Sequence, residues 1–230
     1  MATRWIVTAD WHLDAVTAAV TRLEEIEVAA RQVAHYAATD PDHTVFIFAG
    51  DLTDPDPPRC WRAVTAAAEI ARFLSDHGVD QYWLTGNHDV LEDGRGSHTL
   101  MPLRAIPGCV VIDAPREVAT PTGGRFVALP YTARSRGYDP EVAVRHVGRA
   151  DLVVGHLMLE GIGPGSETTD FARGRDVFFP VAALAATGAV LINGHYHRRQ
   201  TYRGVEIPGS LARLTRADVA NNPGFLEVVR

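Results

Sequence analysis

The tetrapeptide Gly86-Asn87-His88-Asp89 sets an amide oxygen, an imidazole and a carboxylate on one tight loop. Turn chemistry accounts for the Gly, and for Asn or Asp as Asx-turn residues, but leaves the His unexplained. Related groups recur four more times, as Asp10-Trp11-His12, Gly50-Asp51, Gly155-His156 and Gly194-His195-Tyr196-His197. Five of the ten histidines fall in these groups. Imidazole nitrogen mixed with carboxylate and amide oxygen, without thiolate, suits manganese, iron or zinc better than calcium or magnesium. The donors are too many for one ion and match two. Two close cations need a bridging carboxylate, and Asp51 is the natural candidate. Such a pair can hold a bridging hydroxide and clamp the attacking and leaving oxygens of a phosphate ester.

Each group follows an apolar run that reads as a strand: residues 4–9, 44–49, 81–85, 151–154 and 189–192. Between the first three lie two helical stretches. The first, about 14–38, carries Val16, Val20, Leu23, Ile26 and Val33 at helical spacing. The second, about 60–77, follows a Pro-rich turn at 55–58 and closes on Gly78. Strand, helix, strand, helix, strand is the signature of a parallel sheet with helices on its faces. Ligands bind such sheets at the carboxyl ends of the strands, where the polar groups sit. Downstream come a Gly-rich loop at 92–97, a helical piece to 105, strands at 109–112 and 124–129, and a helix at 140–147. A long polar loop spans 159–176 and a short helix 181–186. Three β-runs follow at 199–203, 205–207 and 225–229. Neither linker nor repeat interrupts residues 1–230, which read as a single domain.

The bulk numbers fit a soluble globular protein: 230 residues, 46% hydrophobic and 22% charged. A net charge of −6 argues against a generally basic, nucleic-acid-coating protein. It leaves room for a local nucleic-acid site, because bound cations add positive charge where phosphate docks. Cys60 and Cys109 make neither a disulfide framework nor a zinc spacing. With neither a leader-like nor a membrane-spanning apolar run, a cytoplasmic protein is expected, with no membrane partner.

Taken together and in this order, the five groups resemble those of the calcineurin-like metallophosphoesterases. The resemblance implies an α/β fold, a four-layer αββα sandwich. It implies that Asp10, His12, Asp51 and His197 hold one metal ion, and that Asp51, Asn87, His156 and His195 hold the other. His88 would face the scissile phosphate and assist the leaving group, and Asp89 would orient His88. The cofactors implied are two divalent ions, manganese first, with iron or zinc as alternatives.

Within that superfamily the chain is most similar to the SbcD-type DNA repair nucleases. The likeness rests on Ala9-Asp10-Trp11-His12, Leu129-Pro130-Tyr131, Gly174-Arg175-Asp176-Val177, Gly194-His195-Tyr196-His197, Ile207-Pro208-Gly209-Ser210 and Arg213-Leu214. It implies a DNA phosphodiesterase, exonuclease or endonuclease, acting through attack of metal-bound hydroxide. Those nucleases continue into a capping domain and a segment that binds an ATPase. The sequence ends at Arg230, so an SbcC-like ATPase partner is doubtful. The alternative substrate is a nucleotide, cyclic nucleotide or other small phosphoester, and an inactive scaffold ranks last because every ligand type is present.

Other residues carry blander expectations. His35, His43, His77, His98 and His146 read as surface or capping residues, His98 being nearest to a substrate role. Arg95, Arg104, Arg134, Arg136, Arg173 and Arg175 fall in loops that could border the site. Tyr131 and Tyr196 could stack on a base, with sheet packing favoured for Tyr131. Trp11, Trp61 and Trp83 read as core.

Overall fold

The computed structural model describes residues 2–54, 61–91, 95–131, 150–162, 178–185 and 188–230. The expected turn at 55–58, the helix at 140–147 and most of the loop at 159–176 lie outside these, as do Cys60, Arg134, Arg136, His146, Arg173, Arg175 and the 174–177 motif.

Two sheets form the centre. In the first, β1 (Arg4–Thr8), β4 (Thr44–Ala49), β5 (Asp80–Leu84) and β6 (Cys109–Ile112) run parallel, and β15 (Leu226–Val229) adds antiparallel beside β1. In the second, β8 (Arg125–Leu129), β9 (Leu152–Gly155), β12 (Val190–Asn193) and β14 (Val205–Ile207) run parallel. Antiparallel edges close it: β7 (Arg116–Ala119) beside β8, and β13 (Gln200–Tyr202) beside β14. A separate short parallel pair joins β10 (Met158–Leu159) to β11 (Phe178–Phe179).

Every residue of β4 is buried, because both faces of this sheet are covered. The period of two divides the strand between two cores. Trp5, Val7, Val45, Ile47, Tyr82 and Leu84 meet Phe126, Ala128, Leu152, Val154 and Ile192 between the sheets. Ile6, Phe46, Phe48 and Trp83 face helices α1 (Leu23–Ala37) and α2 (Trp61–Asp76). The helices bury matching stripes: Leu23, Ile26, Ala30, Val33, Ala34 and Ala37 on α1, and Ala63, Ala66, Ala67, Ile70, Ala71 and Leu74 on α2. A third core covers the far face of the second sheet, where Val181 and Leu184 of α3 (Val181–Ala185) pack with Val127, Val153 and Leu191. The order of layers is therefore helix, sheet, sheet, helix, as the sandwich expectation required. Among the described residues no helix is long and apolar enough to cross a membrane.

The expected helix from residue 14 starts only at Leu23. Residues 16–21 form a hairpin instead, β2 (Val16–Thr17) against β3 (Val20–Thr21). Its two loop residues, Ala18 and Ala19, have φ of 51° and 64°, the left-handed pair of a tight primed turn. Val16 and Val20 are exposed, so their four-residue spacing marked no buried face. Tertiary tethers decide the conformation: Thr17 Oγ1 donates to the Leu214 carbonyl (2.6 Å) and Arg22 Nη1 to that of Arg213 (2.8 Å). Strand β7 was also not expected. Its single buried side chain, Val118, gives too little pattern to read. Helix α2 ends as expected: Gly78 has φ +73°, and the N–H of Val79 reaches back to Leu74 (3.0 Å).

Candidate metal centre

Five loops leave the carboxyl ends of parallel strands and meet where the two sheets adjoin. The loop after β1 carries Asp10 and His12, that after β4 carries Asp51, and that after β5 carries Asn87 and His88. From the second sheet, the loop after β9 carries His156 and that after β12 carries His195 and His197.

The backbone turns sharply at these points. Asp10, His12, Asp51 and His195 have φ of 53°, 44°, 61° and 77°, a region costing roughly 1–2 kcal/mol for a residue with a Cβ. Neighbouring loops hold them there. The N–H groups of Asp10, His12 and Leu13 donate to the carbonyls of Gly50, Asp51 and Leu52 at 2.9, 3.2 and 2.9 Å. The His195 N–H donates to Asp10 Oδ1 (3.0 Å), which ties the second sheet to the first. Two glycines permit the approach: a Cβ on Gly50 would overlap the His156 ring, and one on Gly86 the Asp51 carboxylate.

Two donor sets result, Asp10 with His12 and His197, and Asp51 with His156 and His195, each with ligand atoms within 4.8 Å of one another and every residue buried. His12 Nε2 and His197 Nε2 are 3.1 Å apart, the span two imidazoles keep when each binds one ion at about 2.1 Å. Asn87 Oδ1 completes the second set, 3.0 Å from both His156 Nε2 and His195 Nδ1. Asp51 Oδ2 lies between the sets: 3.2 Å from His156 Nε2, 3.6 Å from His88 Nε2 and 3.8 Å from His12 Nε2. This carboxylate oxygen is buried and accepts no hydrogen bond among the described residues. A desolvated anionic oxygen between two nitrogen-rich donor sets suits a bridge between two cations. The His156 Nδ1 meets the Ala49 carbonyl at 2.7 Å, which fixes the ring with Nε2 turned to the cluster.

The electrostatics are those of a site built for cations. Burial would raise the Asp51 carboxylate, but His156, His88 and His12 outweigh it and hold it well below the usual range. Burial, then His197, pushes His12 well below an ordinary imidazole. Burial also works against charge on His156, yet Asp51, Asp10 and the Ala49 carbonyl lift it to about 9. A cation at His156 Nε2 would compete with the proton that Asp51 favours there.

All seven expected metal ligands come together. His88 lies beside the cluster, its side chain 9% exposed and its ring edge-on to that of His12 at 5.1 Å. Asp89 does something other than expected. Its carboxylate accepts from the N–H groups of Asp51 (3.0 Å), Gly86 (2.9 Å) and Leu52 (3.0 Å) and from Thr99 Oγ1 (2.7 Å). These bonds fasten the Asp51 loop to the Asn87 loop, and none goes to the His88 ring. Burial and the Asp51 charge raise Asp89 to about 6.

Outside the cluster, His98 is buried near Asp113 (3.5 Å), which also binds Arg104 (2.8 Å). His35 lies edge-on to Phe73, His77 meets the Phe73 carbonyl (2.8 Å), and His43 meets Asp40 (2.9 Å). Arg95 is exposed and Tyr131 half-buried. Tyr196 is buried, its hydroxyl accepting from the Leu159 N–H (2.8 Å), and so offers no platform for a base. Trp11 and Trp83 are core, but Trp61, expected there too, is 82% exposed at the start of α2. Sequence reading missed three supports: Thr99; Asn193, which bonds both backbone polar groups of Leu157 (3.0 Å each); and Asn221. Only Asn193, next to a Gly-His, carried a local signal.

The family model for calcineurin-like phosphoesterases matches residues 3–199, a span that includes all seven expected ligands. Among curated proteins nothing matches the sequence. Among solved structures, the crystal structure of TT1561 of Thermus thermophilus is similar in fold. Its TM-score is 0.55 at 13% identity, over 93% of this chain and 92% of that one.

Proposed function

The chain belongs to the calcineurin-like phosphoesterase family, and from that premise we propose that it is a manganese-dependent phosphodiesterase that cleaves DNA. One observation carries the two-ion part: Asp51 Oδ2 lies between the donor set of His12 and that of His156. Asp10, His12, His197 and Asp51 would hold one ion, and Asp51, Asn87, His156 and His195 the other. When bound, two divalent ions supply an activated water and positive charge for the phosphoryl oxygens. The nitrogen and oxygen donors favour manganese, iron or zinc.

The chain's own groups do the rest. His88, 3.6 Å from Asp51 Oδ2, would donate a proton toward a departing alkoxide. Asp89 keeps the Asp51 and Asn87 loops in register, so the two donor sets keep their spacing. The SbcD-like motifs around Trp11, Pro130, Tyr196 and Gly209 support DNA as the substrate. A second reading, a small phosphoester, is favoured by the buried Tyr196 ring and the net charge of −6.

The test is manganese-dependent turnover on duplex DNA, single-stranded DNA and bis-p-nitrophenyl phosphate, with Asp51→Asn as the blank. Cleavage of DNA and the small diester together is the expected result. Cleavage of the small diester alone moves the substrate to a small phosphoester. No metal-dependent turnover on any of the three overturns the proposal.

A further inference from the structure

The family match stops at residue 199, yet His197 is held from beyond that point. Strands β13 and β14 lead the chain out and back, and it returns through Pro208-Gly209-Ser210 to lie along His197. The Ser210 N–H donates to the His197 carbonyl at 3.0 Å. Asn221 Nδ2 donates to the same carbonyl at 2.5 Å, while its Oδ1 accepts from the Arg199 N–H at 3.0 Å. One side-chain amide thus brackets His197-Arg198-Arg199. Gly209 has φ +75°, and a Cβ there would lie 2.8 Å from the same His197 carbonyl.

Asn221 is itself fixed. It is 4% exposed. Its N–H donates to the Asp218 carbonyl (2.8 Å), and its own carbonyl accepts from Arg213 Nε (3.2 Å). Asp218 closes a capping box with Thr215, whose N–H reaches Asp218 Oδ2 at 2.8 Å. A buried Asn with both amide ends satisfied is often only a loop lock. Here both bonds end on the backbone that aims His197, whose Nε2 stands 3.1 Å from His12 Nε2. Supports behind a ligand set its direction and its affinity.

We propose that Asn221 is a positioning residue for the ion held by Asp10, His12 and His197, an inference that rests on the reading of those three residues as ligands. The two donor sets differ in this respect. Asn87 and His156 are aimed from within the family-matched span, by the Asp89 clamp and the Ala49 carbonyl, whereas His197 depends on residues 209–221.

The test is calorimetric titration of the metal-free protein with Mn2+, on wild type, Asn221→Ala and the isosteric Asn221→Asp, with thermal melts in chelator. Asn221→Asp keeps the acceptor for Arg199 but sets a second acceptor against the His197 carbonyl. Wild type should take up two ions. Both variants should lose about tenfold in affinity for one of them and keep the other unchanged, with lower melts, because a buried hydrogen bond is lost in each, that still lie above the titration temperature. Two ions at wild-type affinity in the folded variants would overturn the positioning role, as would equal weakening of both. Uptake of fewer than two ions by wild type would overturn this role together with the reading it rests on.

Discussion

The carboxylate of Asp89 lies 3.0 Å from the backbone nitrogen of Asp51, and the same oxygen takes the N–H of Gly86 at 2.9 Å. Its other oxygen takes Leu52 N–H and Thr99 Oγ1. An anion with four donors is thus buried behind the candidate metal centre, holding together the two loops that supply Asp51 and Asn87. Thr99→Val removes one charge-assisted bond without changing side-chain shape. It should destabilise the protein by about 1.5–3 kcal/mol, read as a lower urea midpoint. Asp89→Asn should cost more, because its NH2 must face N–H donors. An unchanged midpoint in both would deny the clamp.

His88 belongs to a different class of effect. His88→Ala leaves all seven ligands in place, so it should retain both ions by elemental analysis. Turnover should fall about 10²–10⁴-fold, the usual share of a positioned general acid. Full turnover with full metal content would remove His88 from the chemistry.

Gly50 is where backbone geometry and metal binding meet. It has φ +96°, and an added Cβ overlaps the His156 ring. Gly50→Ala should therefore push His156 out of the second donor set and lower bound manganese from two ions toward one. Its cost in stability should exceed the roughly 1 kcal/mol of left-handed strain alone. Undiminished metal content would show that the His156 ring shifts freely.

The strand ends were legible because each motif is local. An apolar run followed within a few residues by Asp, Asn or His announces both the strand and a candidate donor, and all seven candidates converge. The supports were not legible, because they join distant positions: Asn221 reaches His197 across 24 residues, and Thr99 reaches Asp89 across 10. Nothing near either residue announces its partner. The hairpin at 16–21 misled because Val16 and Val20 have helical spacing, while the contacts to Arg213 and Leu214 that select a hairpin come from the far end of the chain. Trp61 misled because aromatic size suggests burial, and its helix happens to start with that side chain outward.

Cys109 gives a check that does not involve the metal centre. Burial pushes its thiol up to about 12. A raised thiol pKa keeps the reactive thiolate scarce at every pH below it. At pH 8.5 an ordinary thiol is about half ionised, whereas Cys109 stays almost wholly protonated. In a Cys60→Ser background, alkylation of the folded protein at pH 8.5 should run at least about 100-fold slower than in urea. Equal rates would contradict the partly buried placement of Cys109 at the start of β6.

The most direct measurement on the two-ion account is anomalous diffraction from crystals soaked in manganese, collected at the manganese edge. The account predicts two peaks on opposite sides of the Asp51 carboxylate, one beside His12 and His197, the other beside Asn87, His156 and His195. A single peak, or two that do not share Asp51, would contradict it.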